Sequence, residues 1–123
     1  MSRILIVEDD ADIVNLTTHW LERAGYGVQH AGDGAAALGI LGADPLPALV
    51  LLDIMLPRID GFEVLRRIRA ERRTKTLPVI IVTSFSRDRD AARGRELGAN
   101  DYLVKPLMRL DFLKRVEHIV KDQ

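Results

Sequence analysis

Apolar and polar positions divide the chain into two kinds of segment that alternate. Short, almost wholly apolar runs predict buried strands at ILIV (4–7), ALVLLD (48–53) and LPVIIVTS (77–84). Two more polar segments, VQHA (28–31) and NDYLVKP (100–106), also read as strands, and the first is expected at an edge of the sheet. Strands that are apolar throughout, rather than alternating, indicate a parallel sheet covered on both faces.

The longer segments between these strands carry apolar residues three and four positions apart, which is typical of amphipathic helices. The predicted helices cover residues 12–24, 32–41 with the preceding turn, 61–71, 87–97 and 107–121. Gly25 is placed to end the first of them with a left-handed residue. Five strand–helix units without a linker predict one domain over residues 1–123. Right-handed crossovers then give a doubly wound α/β fold, a five-stranded parallel sheet with helices on both faces.

Composition narrows the function classes. Eighteen basic and eighteen acidic residues cancel, which argues against direct nucleic-acid binding by this domain. The chain has no cysteine, so disulfides and thiolate metal sites are excluded. No apolar run approaches the roughly 20 residues that cross a bilayer, and no signal peptide is apparent, so we expect a cytoplasmic protein without a membrane partner. The basic run RRIRAERR (66–73) predicts a solvated helix face and helix end in preference to a phosphate-binding patch.

Polar side chains stand where each of four predicted strands ends. The first strand runs into Glu8, Asp9 and Asp10, and the others end in Asp53, in Thr83 and Ser84, and in Lys105 before Pro106. Ligands of doubly wound sheets bind outside the carboxyl ends of the strands, where the strand order reverses. The sequence therefore predicts one site that gathers carboxylates, hydroxyls and one ammonium group.

This combination of groups predicts a particular chemistry. Several carboxylates a few ångströms apart must shift their pKa values or bind a cation, and oxygen ligands favour Mg²⁺. Lys105 and Thr83 are then left to bind an anion, which is the equipment of a phosphoryl-transfer site. A carboxylate such as Asp53 can itself be the nucleophile and form an aspartyl phosphate. Asp10 is interpreted as the N-cap of the first helix, so that Glu8 and Asp9 carry the metal.

At these residues the sequence resembles the receiver domain of bacterial two-component response regulators, over essentially the whole chain. The resemblance is carried by ILIVEDDADI (4–13), LVLLDIMLPRIDGFEVL (49–65), IIVTS (80–84) and GANDYLVKP (98–106). It implies a flavodoxin-like receiver fold and a phosphoprotein that acts in phosphorelay signal transduction. It also implies a sensor histidine kinase or phosphotransfer protein as one partner, and an output partner or effector domain that the sequence does not identify.

The resemblance also implies a role for each site residue. Glu8 and Asp9 match the acid pair that binds Mg²⁺, together with Asp53 and the backbone carbonyl of Met55. Asp53 matches the aspartate that takes the phosphoryl group from a kinase phosphohistidine. The chain would thus modify and dephosphorylate only its own aspartate and would not be an enzyme with a separate substrate.

Three more positions match the family's switch. Thr83 matches the hydroxyl residue, Lys105 matches the lysine that precedes a cis-proline, Pro106, and Tyr102 matches the aromatic switch residue. In the family mechanism the hydroxyl and lysine move to contact the phosphoryl group and the aromatic ring turns inward. The face made by the fourth helix, fifth strand and fifth helix then changes its partners.

The chain also departs from the family's pattern. Ser84 stands where alanine is common, and Arg58 and Ile59 vary the loop before Asp60 and Gly61. Part of the charge ladder that supports dimers through the switch face is present, while the rest is interrupted, which counts against that dimer mode. The matching positions are Glu96, Asp101, Asp111 and Arg115, and the interrupting ones are Ala91, Leu97 and Glu117.

Two other functions compete with this interpretation. GDGAAA (32–37), with Asp53 about 20 residues further on, has the spacing of a dinucleotide-binding fingerprint and would suggest an oxidoreductase. A phosphatase or hydrolase that uses Asp53 transiently would share the aspartyl phosphate, but no second positioned general acid is evident. Surface or capping roles suffice for His19, His30 and His118, and phosphotransfer through a histidine is a lesser alternative.

Overall fold

The fold is given by a computed structural model that describes residues 2–121, so residues 1, 122 and 123 of the predicted domain lie outside the described residues. Five strands alternate with five helices. The strands are β1 (Arg3–Val7), β2 (Gly27–Ala31), β3 (Leu49–Leu52), β4 (Val79–Thr83) and β5 (Asp101–Val104). The helices are α1 (Ala11–Arg23), α2 (Gly34–Leu41), α3 (Gly61–Ala70), α4 (Asp88–Glu96) and α5 (Arg109–Lys121). The predicted order of elements is confirmed.

The strands form one parallel sheet in the order β2-β1-β3-β4-β5, which confirms the doubly wound α/β fold. The more polar strand β2 lies at the edge, as expected from its composition. From β1 the chain crosses to β2 on one side and then returns to β3 on the other side. The strand order therefore reverses between β1 and β3, and a ligand site is expected at their carboxyl ends.

Each face of the sheet is covered by its own apolar cluster. Leu5 and Val50 point to the cluster with α2 and α3, while Ile4 and Leu49 point to the cluster with α1 and α5. Successive side chains of a strand point to opposite faces, so a strand that is covered on both sides must be apolar at every position. This explains the unbroken apolar runs in the sequence.

Helix ends follow local capping chemistry. Gly25 has a φ of 97°, which confirms the left-handed residue predicted after α1. Asp33 and Asp60 are the N-caps of α2 and α3. Their carboxylates accept hydrogen bonds from the amides of Ala36 and Glu63 at 2.7 and 3.0 Å. Such caps satisfy amides that have no partner within the helix.

The basic run 66–73 is only partly the solvated surface that its sequence predicts. Arg66 and Arg67 are exposed and pair with Glu63, but α3 ends at Ala70 and Arg69 is half-buried. The Arg69 guanidinium donates to the carbonyls of Gly98 at 2.8 and 3.0 Å and of Leu77 at 2.6 Å. It thus joins the end of α3 to the segments that precede β4 and β5. Among residues 2–121, none of the helices has the length and apolarity that crossing a membrane requires.

Candidate functional site

Three carboxylates meet at the carboxyl ends of β1 and β3. Oxygens of Glu8, Asp9 and Asp53 all lie within 4.8 Å of one another. Glu8 and Asp53 are buried, with 3% and 5% of their surface exposed, whereas Asp9 is exposed. Asp10 takes no part, because its carboxylate accepts from the amides of Asp12 and Ile13 at the start of α1. The predicted role of Asp10 as the N-cap of α1 is confirmed.

Local hydrogen bonds hold Glu8 in this position. Its amide donates to the carbonyl of Ala31 at 3.0 Å, and its Oε2 accepts from the amide of Asp10 at 3.2 Å. Its own carbonyl lies 2.8 Å from Nε2 of His30, on the edge strand. From the sequence, His30 is given a surface or capping role, with phosphotransfer as a lesser alternative, because no local pattern reveals a contact between residues that are 22 positions apart.

Lys105 reaches into the cluster from the end of β5. Its Nζ donates to Glu8 Oε1 at 2.6 Å and to Asp53 Oδ2 at 3.2 Å, and its side chain is only 14% exposed. Burial alone would lower the pKa of Lys105, but the hydrogen bond to Glu8 and the nearby negative charges outweigh it and raise that pKa. Burial raises the pKa of Glu8, against the lowering effect of its hydrogen bond with Lys105. One ammonium group therefore pairs with both buried carboxylates of the cluster.

Close backbone contacts from Met55 and Gly61 fix the position of Asp53. The amide of Met55 donates to Asp53 Oδ1 at 2.9 Å, which orients the carboxylate. A Cβ atom on Gly61 would lie 2.4 Å from the carbonyl oxygen of Asp53, so only glycine lets α3 begin this close to the strand end. The Lys105–Pro106 peptide is cis, as the resemblance implied.

Thr83 and Tyr102 both form hydrogen bonds with the backbone of Phe85, the residue that follows Ser84. Thr83 is fully buried, and its Oγ1 accepts from the amide of Phe85 at 3.4 Å. The Tyr102 hydroxyl donates to the carbonyl of the same residue at 2.9 Å. Burial, and then the charge of Asp90, raise the pKa of Tyr102. Phe85 was absent from the sequence-based site, because its contribution is made by backbone atoms and leaves no sequence signal.

An open groove lies beside the cluster, between the β3–α3 loop and α4. Asp9, Met55, Phe62, Phe85 and Arg93 are among the residues that line it. The Arg93 guanidinium stands 4.4 Å above the ring of Phe62. The groove gives solvent and ligands a route to the exposed side of the cluster.

The geometry argues against a dinucleotide site at GDGAAA. The segment follows the edge strand β2 rather than a central strand. The Asp33 carboxylate already accepts the hydrogen bond from the amide of Ala36, where a pyrophosphate would bind. A Cβ atom on Gly34 would lie 2.7 Å from Val64 Cγ2, so this glycine is explained by the packing of α2 on α3.

The partial charge ladder forms contacts within the chain. Arg115 donates to both Asp101 oxygens at 2.9 and 3.0 Å and to Asp111 at 3.1 and 3.2 Å. Glu96 is exposed at the end of α4. These contacts join β5 to α5, so pairing with a second copy through Arg115 would have to compete with them.

The donors at the strand ends fit a hard divalent cation. Three carboxylates within 4.8 Å of one another offer only oxygen ligands. One of them is exposed beside the open groove, so a cation with bound water has access. Mg²⁺ typically binds through one or two carboxylates and keeps several waters. The cluster is therefore compatible with a metal site.

Comparison with known proteins agrees with this arrangement. A family model described as the response regulator receiver domain matches residues 4–117. The DNA-binding dual master transcriptional regulator RpaA of Synechocystis is 41% identical over 121 residues, which cover 98% of this chain and 50% of that protein. The chain thus spans about half the length of the curated relatives it matches.

Solved structures give the same result. The crystal structure of a response regulator from Chloroflexus aurantiacus superposes with a TM-score of 0.92 at 36% identity, covering 98% of each chain. The Mn²⁺-bound form of the response regulator Rcp1 superposes with a TM-score of 0.83 at 32% identity, covering 97% of this chain and 91% of that chain.

Proposed function

The chain belongs to the response regulator receiver domain family, and from this premise we propose that Asp53 is the residue that accepts the phosphoryl group. One observation carries the proposal: the buried Asp53 carboxylate lies within 4.8 Å of two other carboxylate oxygens and 3.2 Å from the Lys105 ammonium. In that setting Asp53 would have both a bound divalent cation and the Lys105 ammonium as neighbours. Both would reduce the repulsion that an incoming phosphate meets.

The proposed chemical step uses these positions. An Asp53 carboxylate oxygen attacks the phosphorus of a phosphohistidine, an O–P bond forms, the N–P bond breaks, and the imidazole leaves. Met55 donates to Oδ1 of Asp53 and Lys105 donates to Oδ2. The Oδ1 side faces the β3–α3 loop, and Lys105 is placed to bond an oxygen of the transferred group.

We propose that Glu8, Asp9, Asp53 and the backbone carbonyl of Met55 hold Mg²⁺. When bound, the ion neutralises the crowded carboxylates and the charge of the phosphoryl group. The bound Mn²⁺ in Rcp1 supports a divalent cation in a related receiver. In this chain the support comes from the oxygen-only donor set and its access to solvent through the groove.

Thr83 and Tyr102 are proposed to transmit the signal. Both bond to Phe85, so a displacement of the Thr83 hydroxyl toward a phosphoryl oxygen also affects the loop that holds the Tyr102 hydroxyl. The face made by α4, β5 and α5 would then change its preference for partners. Tyr102 is already half-buried in this structure. That its ring turns further inward on phosphorylation stays a prediction.

Receiver domains act with sensor histidine kinases or phosphotransfer proteins, and we propose such a protein as the phosphodonor for Asp53. The output partner stays open, and direct nucleic-acid binding is not expected of this domain because the net charge is zero. We further propose that residues 1–123 form one receiver domain, that it acts only on its own aspartate, and that it works in the cytoplasm.

Intact mass after incubation with Mg²⁺ and acetyl phosphate tests the proposal. Wild type should gain the mass of one phosphoryl group, Asp53→Asn should not, and chelator should suppress the gain. Asp12→Asn serves as the matched control, because Asp12 is an exposed acid in the first turn of α1. It should be phosphorylated like wild type.

Two results would contradict the proposal. A mass gain in Asp53→Asn at the wild-type rate would show that another residue is the acceptor. Sustained release of phosphate from an added phosphomonoester, many turnovers per chain, would instead favour the hydrolase alternative.

A further inference from the structure

His30 stands beside the carboxylate cluster without belonging to it. It lies opposite Ile6 in the β1–β2 pairing, so its side chain and that of Glu8, two residues beyond Ile6, are on the same face of the sheet. Its Nε2 is 2.8 Å from the carbonyl oxygen of Glu8. Since a carbonyl can only accept, Nε2 carries the hydrogen and donates it.

The carbonyl that His30 contacts belongs to the peptide that joins Glu8 to Asp9. Consecutive residues of a strand point to opposite faces, yet these two acids must direct their oxygens to the same point. The chain achieves this by continuing alongside β2 through Glu8, whose amide pairs with Ala31, and turning at Asp9. The orientation of the Glu8–Asp9 peptide therefore decides whether both carboxylates converge.

Three hydrogen bonds hold this turn. The Glu8 amide donates to the carbonyl of Ala31, and the Asp10 amide donates to Glu8 Oε2. The third bond is the one from His30, and it is the only one of the three that a neighbouring side chain donates. It is also the only one that acts on the carbonyl of the peptide between the two acids.

We propose that His30 is a positioning residue for the metal site: its hydrogen bond fixes the Glu8–Asp9 peptide so that both carboxylates face one divalent cation. The inference rests on the proposed function, because it concerns the same Mg²⁺ site. His30 touches no reacting atom. It acts through the backbone of Glu8 and is absent from the set of site residues that the sequence predicted.

Loss of this bond should weaken metal binding without unfolding the domain. His30 is exposed, so water can bond the freed carbonyl, but water does not restrict the peptide to one orientation. Partners that orient metal ligands typically contribute about 10–100-fold in affinity. His30 acts one step further away, through the backbone, so we expect the Mg²⁺ dissociation constant of His30→Ala to rise roughly three- to tenfold.

The experiment compares wild type, His30→Ala, His30→Gln and His19→Ala. In His30→Gln the side-chain amide nitrogen can take the place of Nε2, and His19 is an exposed histidine on α1, away from the cluster. Mg²⁺ dissociation constants are measured by calorimetry and by NMR titration of the Asp9 amide. Thermal melts in EDTA report stability, and phosphorylation by acetyl phosphate is followed as Mg²⁺ is varied.

His30→Ala should need more Mg²⁺ for half-maximal phosphorylation but reach the wild-type rate at saturation. Its Asp9 amide should also shift in EDTA, before any metal is added. His30→Gln should recover most of the affinity, and His19→Ala should match wild type.

A wild-type dissociation constant in His30→Ala overturns the inference, and so does a His30→Gln variant that is as impaired as His30→Ala. If wild type binds Mg²⁺ and is phosphorylated on Asp53 while either result is found, only the role of His30 falls. If wild type itself binds no Mg²⁺, the metal part of the proposed function falls and the role of His30 falls with it.

Discussion

Asp9→Asn should make the metal-free domain more stable and the Mg²⁺-loaded domain less stable than wild type. The substitution removes one negative charge and keeps the shape of the side chain. Asp9 is the exposed member of the three-carboxylate cluster and has no hydrogen bond to the other two acids among those found in residues 2–121. Its main effect without metal is therefore repulsion.

The structure sets the size of this repulsion. At the 4.8 Å limit that separates the carboxylate oxygens, two unit charges repel by about 3.5 kcal/mol at an effective dielectric near 20, and by about 0.9 kcal/mol in water. Asp9 faces two such charges, and the ammonium of Lys105 offsets about one of them. Because Asp9 is exposed, the lower value applies, and about 1 kcal/mol of repulsion remains.

Thermal melts followed by circular dichroism, with EDTA and with Mg²⁺, measure both effects. For a domain of this size, about 1 kcal/mol corresponds to a melting temperature about 3–5 °C higher for Asp9→Asn in EDTA. Binding to the folded state at 100 times the dissociation constant stabilises by about 2.7 kcal/mol. Wild type should gain this stabilisation and the variant should gain much less, so the order of the two melting temperatures should reverse.

Glu22→Gln is the matched control. Glu22 is an exposed acid near the end of α1, so this variant also removes one surface negative charge, away from the cluster. Its melting temperature should respond to Mg²⁺ as wild type does. If Asp9→Asn melts at or below the wild-type temperature in EDTA, the three carboxylates do not form a strained pocket and the electrostatic reasoning is refuted.

Three further predictions concern other parts of the molecule. Thr83→Ala should still be phosphorylated. It should lose most of the NMR shift changes that phosphorylation causes in α4, β5 and α5, including those at Tyr102. An unchanged shift map would contradict a relay through Thr83. Arg69→Ala removes charged hydrogen bonds to the carbonyls of Gly98 and Leu77, so it should cost roughly 2–3 kcal/mol and lower the melting temperature by roughly 6–15 °C. A loss below 2 °C would show that water replaces these bonds. The hydrogen bonds of two arginines lower the pKa of Glu63 to about 2. Any stability from this group is therefore present above its unfolded pKa and is lost as pH falls toward 2. An NMR titration that places the Glu63 pKa above 4 would show that these ion pairs do not persist in solution.

The strand and helix order could be predicted from the sequence because it depends mainly on the spacing of apolar residues. ILIV at 4–7 and VIIV at 79–82 are apolar at every position, and only a strand covered on both faces needs that pattern. Glu8, Asp9, Asp53 and Lys105 could be found for a related reason. In a parallel sheet all carboxyl ends share one edge, so knowing where each strand ends is enough to place its last polar residue at the site.

Only the tertiary structure decided which residues that are far apart in the sequence contact one another. The sequence leaves open which acid the Lys105 ammonium contacts, and the fold places it 2.6 Å from Glu8 and 3.2 Å from Asp53. Arg69 lies in a basic run that reads as solvated surface, yet three backbone hydrogen bonds draw its guanidinium inward. His30 reaches the carbonyl of Glu8 across the edge of the sheet. Periodicity determines which face a side chain takes, but a contact over 22 to 97 positions depends on how strands and loops pack, which no local pattern encodes.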